Sequence, residues 1–542
     1  MTQTDTVTGG GVTVRFAGAD VVAARDRALG DNMGVAARIA AKDAGLWGPD
    51  AAAEAKVRLG WLDCATVSRP LVAEIEELRD RLSAAGIDHV VLAGMGGSSL
   101  APEVITATYG APLVTLDTTD PGQIAAALAD QLESTVLVVS SKSGGTLETD
   151  SHRRAYEQAF RDAGIDPVER IIVVTDPGSP LQRLATDAGY RVFEADPNVG
   201  GRYSALTAFG LVPSGLAGVP VHELLDAAEA ASATLSGDYG NAAVALGAAL
   251  GGYGLDGHDK VVIADGGSGI VGFGDWAEQL IAESTGKSGR GLLPVVVASP
   301  DSPGFAVTAD THLVTVGATP PAAGTSIEGP LGAQFLTWEF ATAVAGRVLG
   351  IDPFNQPNVQ ESKDNTKAVL EAAGDGPLPT GEPAFTDGAV EVYTEPADLA
   401  GATDLGEVLD ALLAAVPDNG YLAVMAYLDR IRDSDAARIR DLLAARVPHP
   451  VTFGWGPRFL HSTGQFHKGG PPVGVFLQIT GDAATDVAIP GQPFGFARLQ
   501  LAQALGDIQA LRARSRPTVR LHLTDRTSGI ASVLRAARGV SQ

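Results

Sequence analysis

A chain of 542 residues, 45% of them hydrophobic, can fill the cores of roughly three or four domains of ordinary size. Its 39 basic and 64 acidic residues leave a net charge of −25, which disfavours DNA, RNA and other polyanions as partners but not a small anion held by local dipoles. A single cysteine, Cys64, excludes an intramolecular disulfide framework and any Cys-rich metal cluster, and no uncharged apolar run is long enough to span a bilayer.

Residues 1 to about 20 read as a loose, polar leader without the charged and apolar regions of a signal peptide, so a cytoplasmic protein is expected. Residues 21–85 carry Ala, Leu and charge at helix spacing, interrupted once at Pro70. A strand at 89–93 then runs into the Gly/Ser turn 94–99, and a helix follows. Further strands are expected at 113–116, 135–139, 171–175 and 191–194, with helical stretches between them. Strands alternating with helices imply a parallel sheet covered on both faces, whose ligands bind beyond the carboxyl ends of the strands. The stretch 134–148, STVLVVSSKSGGTLE, is the most informative. Its first half is a β-branched strand and its second a hydroxyl and glycine turn that opens a helix. The unpaired N–H groups of such a helix start attract an oxyanion, and Ser141, Ser143 and Thr146 add donors. There is no GxxxxGK signature, so a small phosphorylated molecule fits better than a nucleotide.

The loop 196–204 sets one arginine, Arg202, between glycines and an aromatic. Helices are expected at 221–235 and 241–253, and a second series opens with a strand at 260–264 and its own turn, DGGSG at 265–269. A helix at 275–284, strands at 293–298 and 312–316 and a helix at 331–349 complete it. The clearest linker is GDGPLPTGE at 374–382. Beyond it come strands at 390–393, 422–426, 451–454, 473–479 and 518–523, with helices at 405–416, 436–445 and 495–512. Within this third region, residues 454–470 crowd His461, His467, Gln465, Arg458 and Lys468 into one Gly-rich loop, a density suited to polyhydroxyl recognition and proton transfer.

Five stretches, in order, resemble the glucose-6-phosphate isomerase family, whose fold is built on paired sugar-isomerase (SIS) domains. GMGGSSL at 94–100 resembles GIGGSxLGP, and SKSGGTLET at 141–149 resembles SKTxxTxET. VGGRYS at 199–204 carries GGRYS, ESTGK at 283–287 resembles ESNGK, and FNQPNVQESK at 354–363 resembles FDQxGVExxK. In the last, Asn358 stands for Gly and Gln360 for Glu. Residues after 375 look like the long actinobacterial type, which also occurs fused behind a transaldolase. The implied fold is α/β, with two three-layer SIS domains on parallel sheets, at 86–235 and 236–374. A leader with helices precedes them at 1–85, and an additional C-terminal α/β region follows at 385–542.

The implied reaction interconverts glucose 6-phosphate and fructose 6-phosphate through a cis-enediolate. By motif position Glu283 is the base; the alternative for it is an exposed Glu paired with Lys287. Arg202 faces the enediolate, Lys363 lies near the ring oxygen, and Gly97, Ser98, Ser141, Ser143, Thr146 and Gln356 hold the phosphate side. No family-like histidine follows Glu283 before His312, so His461 or His467 is expected to open the ring. Nothing calls for a metal, nucleotide or other cofactor. The resemblance also implies a homodimer. The competing readings are a dual phosphoglucose and phosphomannose isomerase, a non-catalytic phosphosugar-binding regulator, and an amidotransferase-type isomerase. The regulator lacks a basic recognition helix here, and the amidotransferase lacks an N-terminal cysteine.

Overall fold

The computed structural model describes residues 4–394 and 401–539. The segment expected as a loose leader is ordered instead. β1 (Thr4–Gly9) and β2 (Val12–Ala17) form an antiparallel hairpin. Its two-residue turn, Gly10-Gly11, has positive φ at both positions, the geometry only glycine takes without strain. Val12, Val14 and Phe16 are buried while Thr13 and Arg15 are half-buried, the period-two alternation of a strand with one face on a core. That pattern was present in the sequence and was outweighed by the polar composition around it.

The first sheet comprises β3 (His89–Gly94), β4 (Val114–Leu116), β5 (Thr135–Ser140), β6 (Ile171–Thr175) and β7 (Arg191–Glu194), all parallel in the order β4-β3-β5-β6-β7. Alternate residues feed opposite cores. Val91, Leu137 and Val173 pack with Tyr156 and Phe160 on one face, whereas Val90, Leu92 and Val138 pack with Leu78, Leu82 and Val104 on the other. The sheet is therefore the middle of three layers.

The second sheet holds β8 (Lys260–Asp265), β9 (Leu293–Val297), β10 (Thr311–Val316) and β11 (Gly324–Glu328), a strand not anticipated from the sequence. Its order is β1-β2-β11-β10-β8-β9, so the N-terminal hairpin completes its edge by antiparallel pairing with β11. The third sheet repeats this plan. β12 (Phe385–Asp387), also unanticipated, and β13 (Val390–Tyr393) form the edge hairpin, and β14 (Tyr421–Tyr427), β15 (Val451–Trp455), β16 (Gly474–Gly481) and β17 (Thr518–Leu523) run parallel. The order is β12-β13-β17-β16-β14-β15.

The three sheets do not stand apart. One apolar cluster contains residues of the first and second sheets together. Another joins Val262 and Val295 of the second sheet to Met425 and Phe476 of the third. The stretch 374–382 is not a free tether either, since Leu378 is buried against Val369, Ala502 and Leu505. No helix among the described residues is long and apolar enough to cross a membrane.

Candidate active site

β5 is buried along its whole length, and its chain leaves the sheet at Ser141, whose N–H donates to the Val174 carbonyl. The turn that follows is shaped by Gly144, with φ +72 and a Cβ position only 2.5 Å from Leu181 Cβ. Thr146 is the N-cap of the helix Leu147–Asp162, with an extended backbone and no side-chain capping bond. The first N–H groups of that helix thus remain available at the loop. Ser141 Oγ accepts from the Gly144 N–H at 3.2 Å, and Ser143 Oγ accepts from the Gly145 N–H at 3.3 Å.

A cavity of about 550 Å³ opens over this loop. Gly97, Ser98, Ser141, Ser143, Thr146, Arg202, Glu283, Gln356, Lys363 and His461 all line it. Gly97 is there because nothing larger fits: an added Cβ would stand 2.0 Å from the Gly201 carbonyl oxygen, on the loop that carries Arg202. Arg202 is buried and fully engaged. Its Nε donates to Ser284 Oγ at 2.8 Å and Nη1 to Gln356 Oε1 at 3.0 Å. Nη2 donates to the Pro353 carbonyl at 2.7 Å. Nη1 also lies 3.3 Å from Glu283 Oε1. Glu283 projects from the helix Phe273–Thr285, and its other oxygen accepts from Gln279 Nε2 at 3.1 Å. Lys287 is not its partner. That ammonium is buried and donates to the Asp352 and Asn355 carbonyls at 2.7 and 2.6 Å, pinning the loop that carries Gln356.

The two candidate histidines separate. His461 reaches the cavity, its Nε2 3.2 Å from Glu148 Oε1, while its carbonyl accepts from Gln279 Nε2 at 2.8 Å. Glu148 is buried and also accepts from Gln503 Nε2 at 2.7 Å, and Gln503 is in turn held by Thr119 Oγ1 at 2.6 Å. Burial opposes the Glu148 charge, but the His461 hydrogen bond and nearby Lys363 outweigh it and hold the carboxyl down at about 2. His467, expected as the other ring-opening candidate, lies elsewhere. Its helix turns it inward, where Nδ1 meets Tyr421 Oη at 2.9 Å inside an aromatic cluster. Burial pulls its pKa down to about 3, which keeps the ring neutral. His312 is likewise interior, 2.9 Å from Thr325 Oγ1.

The remaining polar residues of the 454–470 loop anchor it. Arg458 pairs with Asp117 at 2.8 Å and with Glu103, and Lys468 pairs with Asp507 at 2.9 Å. Gln465 Oε1 accepts from the Asn358 N–H, and Gln465 Nε2 donates to Asn358 Oδ1 and to the Gly286 carbonyl, each at 2.9 Å. Asn358, where the family signature has glycine, is thus one of the points at which the third region docks. Lys142 lines the cavity but is paired with Asp176 at 2.5 Å.

Sequence reasoning missed Glu148, Gln279, Gln503 and Arg58, the last of which also lines the cavity. Glu148 lay inside a motif already singled out, and only the fold shows which way its carboxyl turns. Gln503 and Arg58 carried no local signal. The second turn, 265–269, forms no equivalent anion site. Asp265 Oδ1 itself accepts from Gly267 N–H, Ser268 N–H and Ser268 Oγ, at 3.1, 2.9 and 2.8 Å.

Comparison with known proteins gives a consistent picture. The family model for phosphoglucose isomerase matches residues 79–242. A probable glucose-6-phosphate isomerase of Haloarcula marismortui is 28% identical over 357 residues, covering 55% of this chain and 81% of that protein. One from Natronomonas pharaonis is 29% identical over 373 residues, covering 64% and 84%. Among solved structures, a glucose-6-phosphate isomerase from Chlamydia trachomatis shares the fold with a TM-score of 0.54 at 19% identity. It covers 69% of this chain and 90% of that one.

Proposed function

From the premise that this chain belongs to the phosphoglucose isomerase family, we propose how it interconverts glucose 6-phosphate and fructose 6-phosphate. The phosphate seats on the hydroxyls of Ser141, Ser143 and Thr146 and on the free N–H groups of the helix behind them, with Ser98 alongside. His461, oriented by Glu148 and Gln503, exchanges a proton with the ring oxygen so that the sugar opens. Lys363, exposed at the cavity mouth, supplies positive charge on that side. Glu283 then takes the proton from C2 and returns it to C1. Arg202, always protonated, stabilises the enediolate between those two steps.

The observation that carries this reading is the shared cavity: the Glu283 carboxylate, the Arg202 guanidinium, the phosphate loop and one histidine surround a single space. The same reading includes a cytoplasmic homodimer, supported by the family resemblance and checked by sedimentation of the purified chain. The deciding experiment is a coupled assay of wild type and Glu283→Gln with fructose 6-phosphate and mannose 6-phosphate. The variant is expected to bind fructose 6-phosphate and to lose at least about 100-fold in kcat. Retained turnover would reject Glu283 as the base, and turnover of mannose 6-phosphate by wild type would widen the substrate class.

A further inference from the structure

The third sheet has a crevice of its own. Parallel α/β sheets bind ligands beyond the carboxyl ends of their strands. At that end of β14, β16 and β17 lies a cavity of about 340 Å³, within the range of small-molecule sites. It shares no lining residue with the phosphosugar cavity.

Its walls are of two kinds. Leu378, Leu501, Pro377 and Ala497 make one side apolar. On the other, Tyr427 is 1% and Gln500 4% exposed, and both line the cavity. Among the described residues, Tyr427 Oη and Gln500 Nε2 have no hydrogen-bond partner. Buried polar atoms are almost always paired, so two orphan donors on residues that wall one cavity point to an acceptor the chain does not supply. The other polar groups do not supply it. Thr480 Oγ1 and His522 Nδ1 are 2.9 Å apart and His522 Nε2 lies 3.1 Å from Asp482 Oδ1, which satisfies Thr480 and His522, while Asp482, at the largely exposed rim, is an acceptor bonded to neither orphan and supplies no donor. Arg498 adds a guanidinium to the lining, with one nitrogen on the Gly374 carbonyl at 2.7 Å. The stretch 374–382 forms the roof, pinned by that bond and by Arg520 Nη2 on the Thr380 carbonyl at 2.9 Å.

We propose that this crevice binds a short-chain organic carboxylate. Its two acceptor-only oxygens would meet Tyr427 Oη, the Gln500 amide and Arg498, and its hydrocarbon part would lie against Leu378 and Leu501. A neutral polyol could accept from the same donors but would leave the Arg498 charge unanswered, and bare phosphate would leave the apolar wall unfilled.

Isothermal titration calorimetry of the full chain with butyrate, inorganic phosphate and glycerol tests this. Butyrate is expected to bind, and Tyr427→Phe and Gln500→Leu, which remove a donor but keep the bulk, are each expected to weaken it about tenfold. Arg498→Ala, a half-buried position, serves as the variant with the least risk to folding. Turnover of fructose 6-phosphate should stay unchanged in all three, which reports that they are folded. Absence of saturation by butyrate below about 10 mM, equal affinity in wild type and all three variants, or binding of phosphate or glycerol in its place would each overturn the proposal.

Discussion

His461 and His467 are six residues apart on one loop, and the structure gives them opposite tasks. His461 meets a buried carboxylate at the edge of the cavity, whereas His467 meets a tyrosine hydroxyl in an aromatic core. His461→Ala is expected to lower turnover of cyclic glucose 6-phosphate by about 100-fold or more. 5-Deoxyfructose 6-phosphate, which cannot close its ring, should lose far less. Equal losses on both substrates would remove His461 from ring opening. His467→Phe keeps the ring packing but leaves Tyr421 Oη unpaired. It should cost about 1 kcal/mol of stability, read by denaturant titration, with kcat intact.

At the scale of single elements, two glycines on touching loops predict different outcomes. A Cβ on Gly97 would collide with the backbone at 2.0 Å, whereas one on Gly201 meets nothing within 4 Å, because that position faces open cavity. Gly97→Ala is expected to displace the Arg202 loop and lower kcat, since ångström-scale misplacement of a charged group costs of order 100-fold. Gly201→Ala should leave stability unchanged and raise KM. Crystal or solution data showing Arg202 unmoved, with normal kcat, in Gly97→Ala would contradict this. The loop 352–358 follows the same logic of contacts supplied from afar. Lys287 fixes its carbonyls and Gln465 its last residue, Asn358, so the altered signature is matched by a partner from the third region.

For the whole molecule, buried titratable groups set the pH response. Burial holds His152 at about 4, and His312 and His467 at about 3, against an ordinary 6.5. The unfolded chain therefore takes up these protons first, so their contribution is complete above pH 6.5 and lost as pH falls toward 3 to 4. Burial drives the Glu339 carboxyl well above its ordinary 4.5, with the opposite sign: its contribution is complete below 4.5 and lost as pH rises. His522 is also held below 6.5 by burial, and burial raises Glu278 to about 8, so between pH 6.5 and 5 four histidines oppose two carboxyls. Stability should fall on acidification by at most roughly 3 kcal/mol per pH unit. Thermal melting at pH 6.5, 5.8 and 5.0 should show a steadily falling midpoint. A flat or rising series would mean that these histidines are not held neutral.

The order of strands and helices, the hydroxyl loop at its helix start and the order of the motifs were legible along the chain, because each rests on local periodicity or on contiguous residues. The short strands β1, β2, β11 and β12 were not: β1 and β12 are edges, and β2 and β11 hold their places only through the neighbours they pair with, β11 lying between β2 and β10. Nor could spacing say that Glu148, placed beside the phosphate loop in sequence, turns to a histidine 313 residues away. That meeting depends on the third region packing against both the first sheet and the second, and the same packing admits His461 to the cavity and keeps His467 out of it.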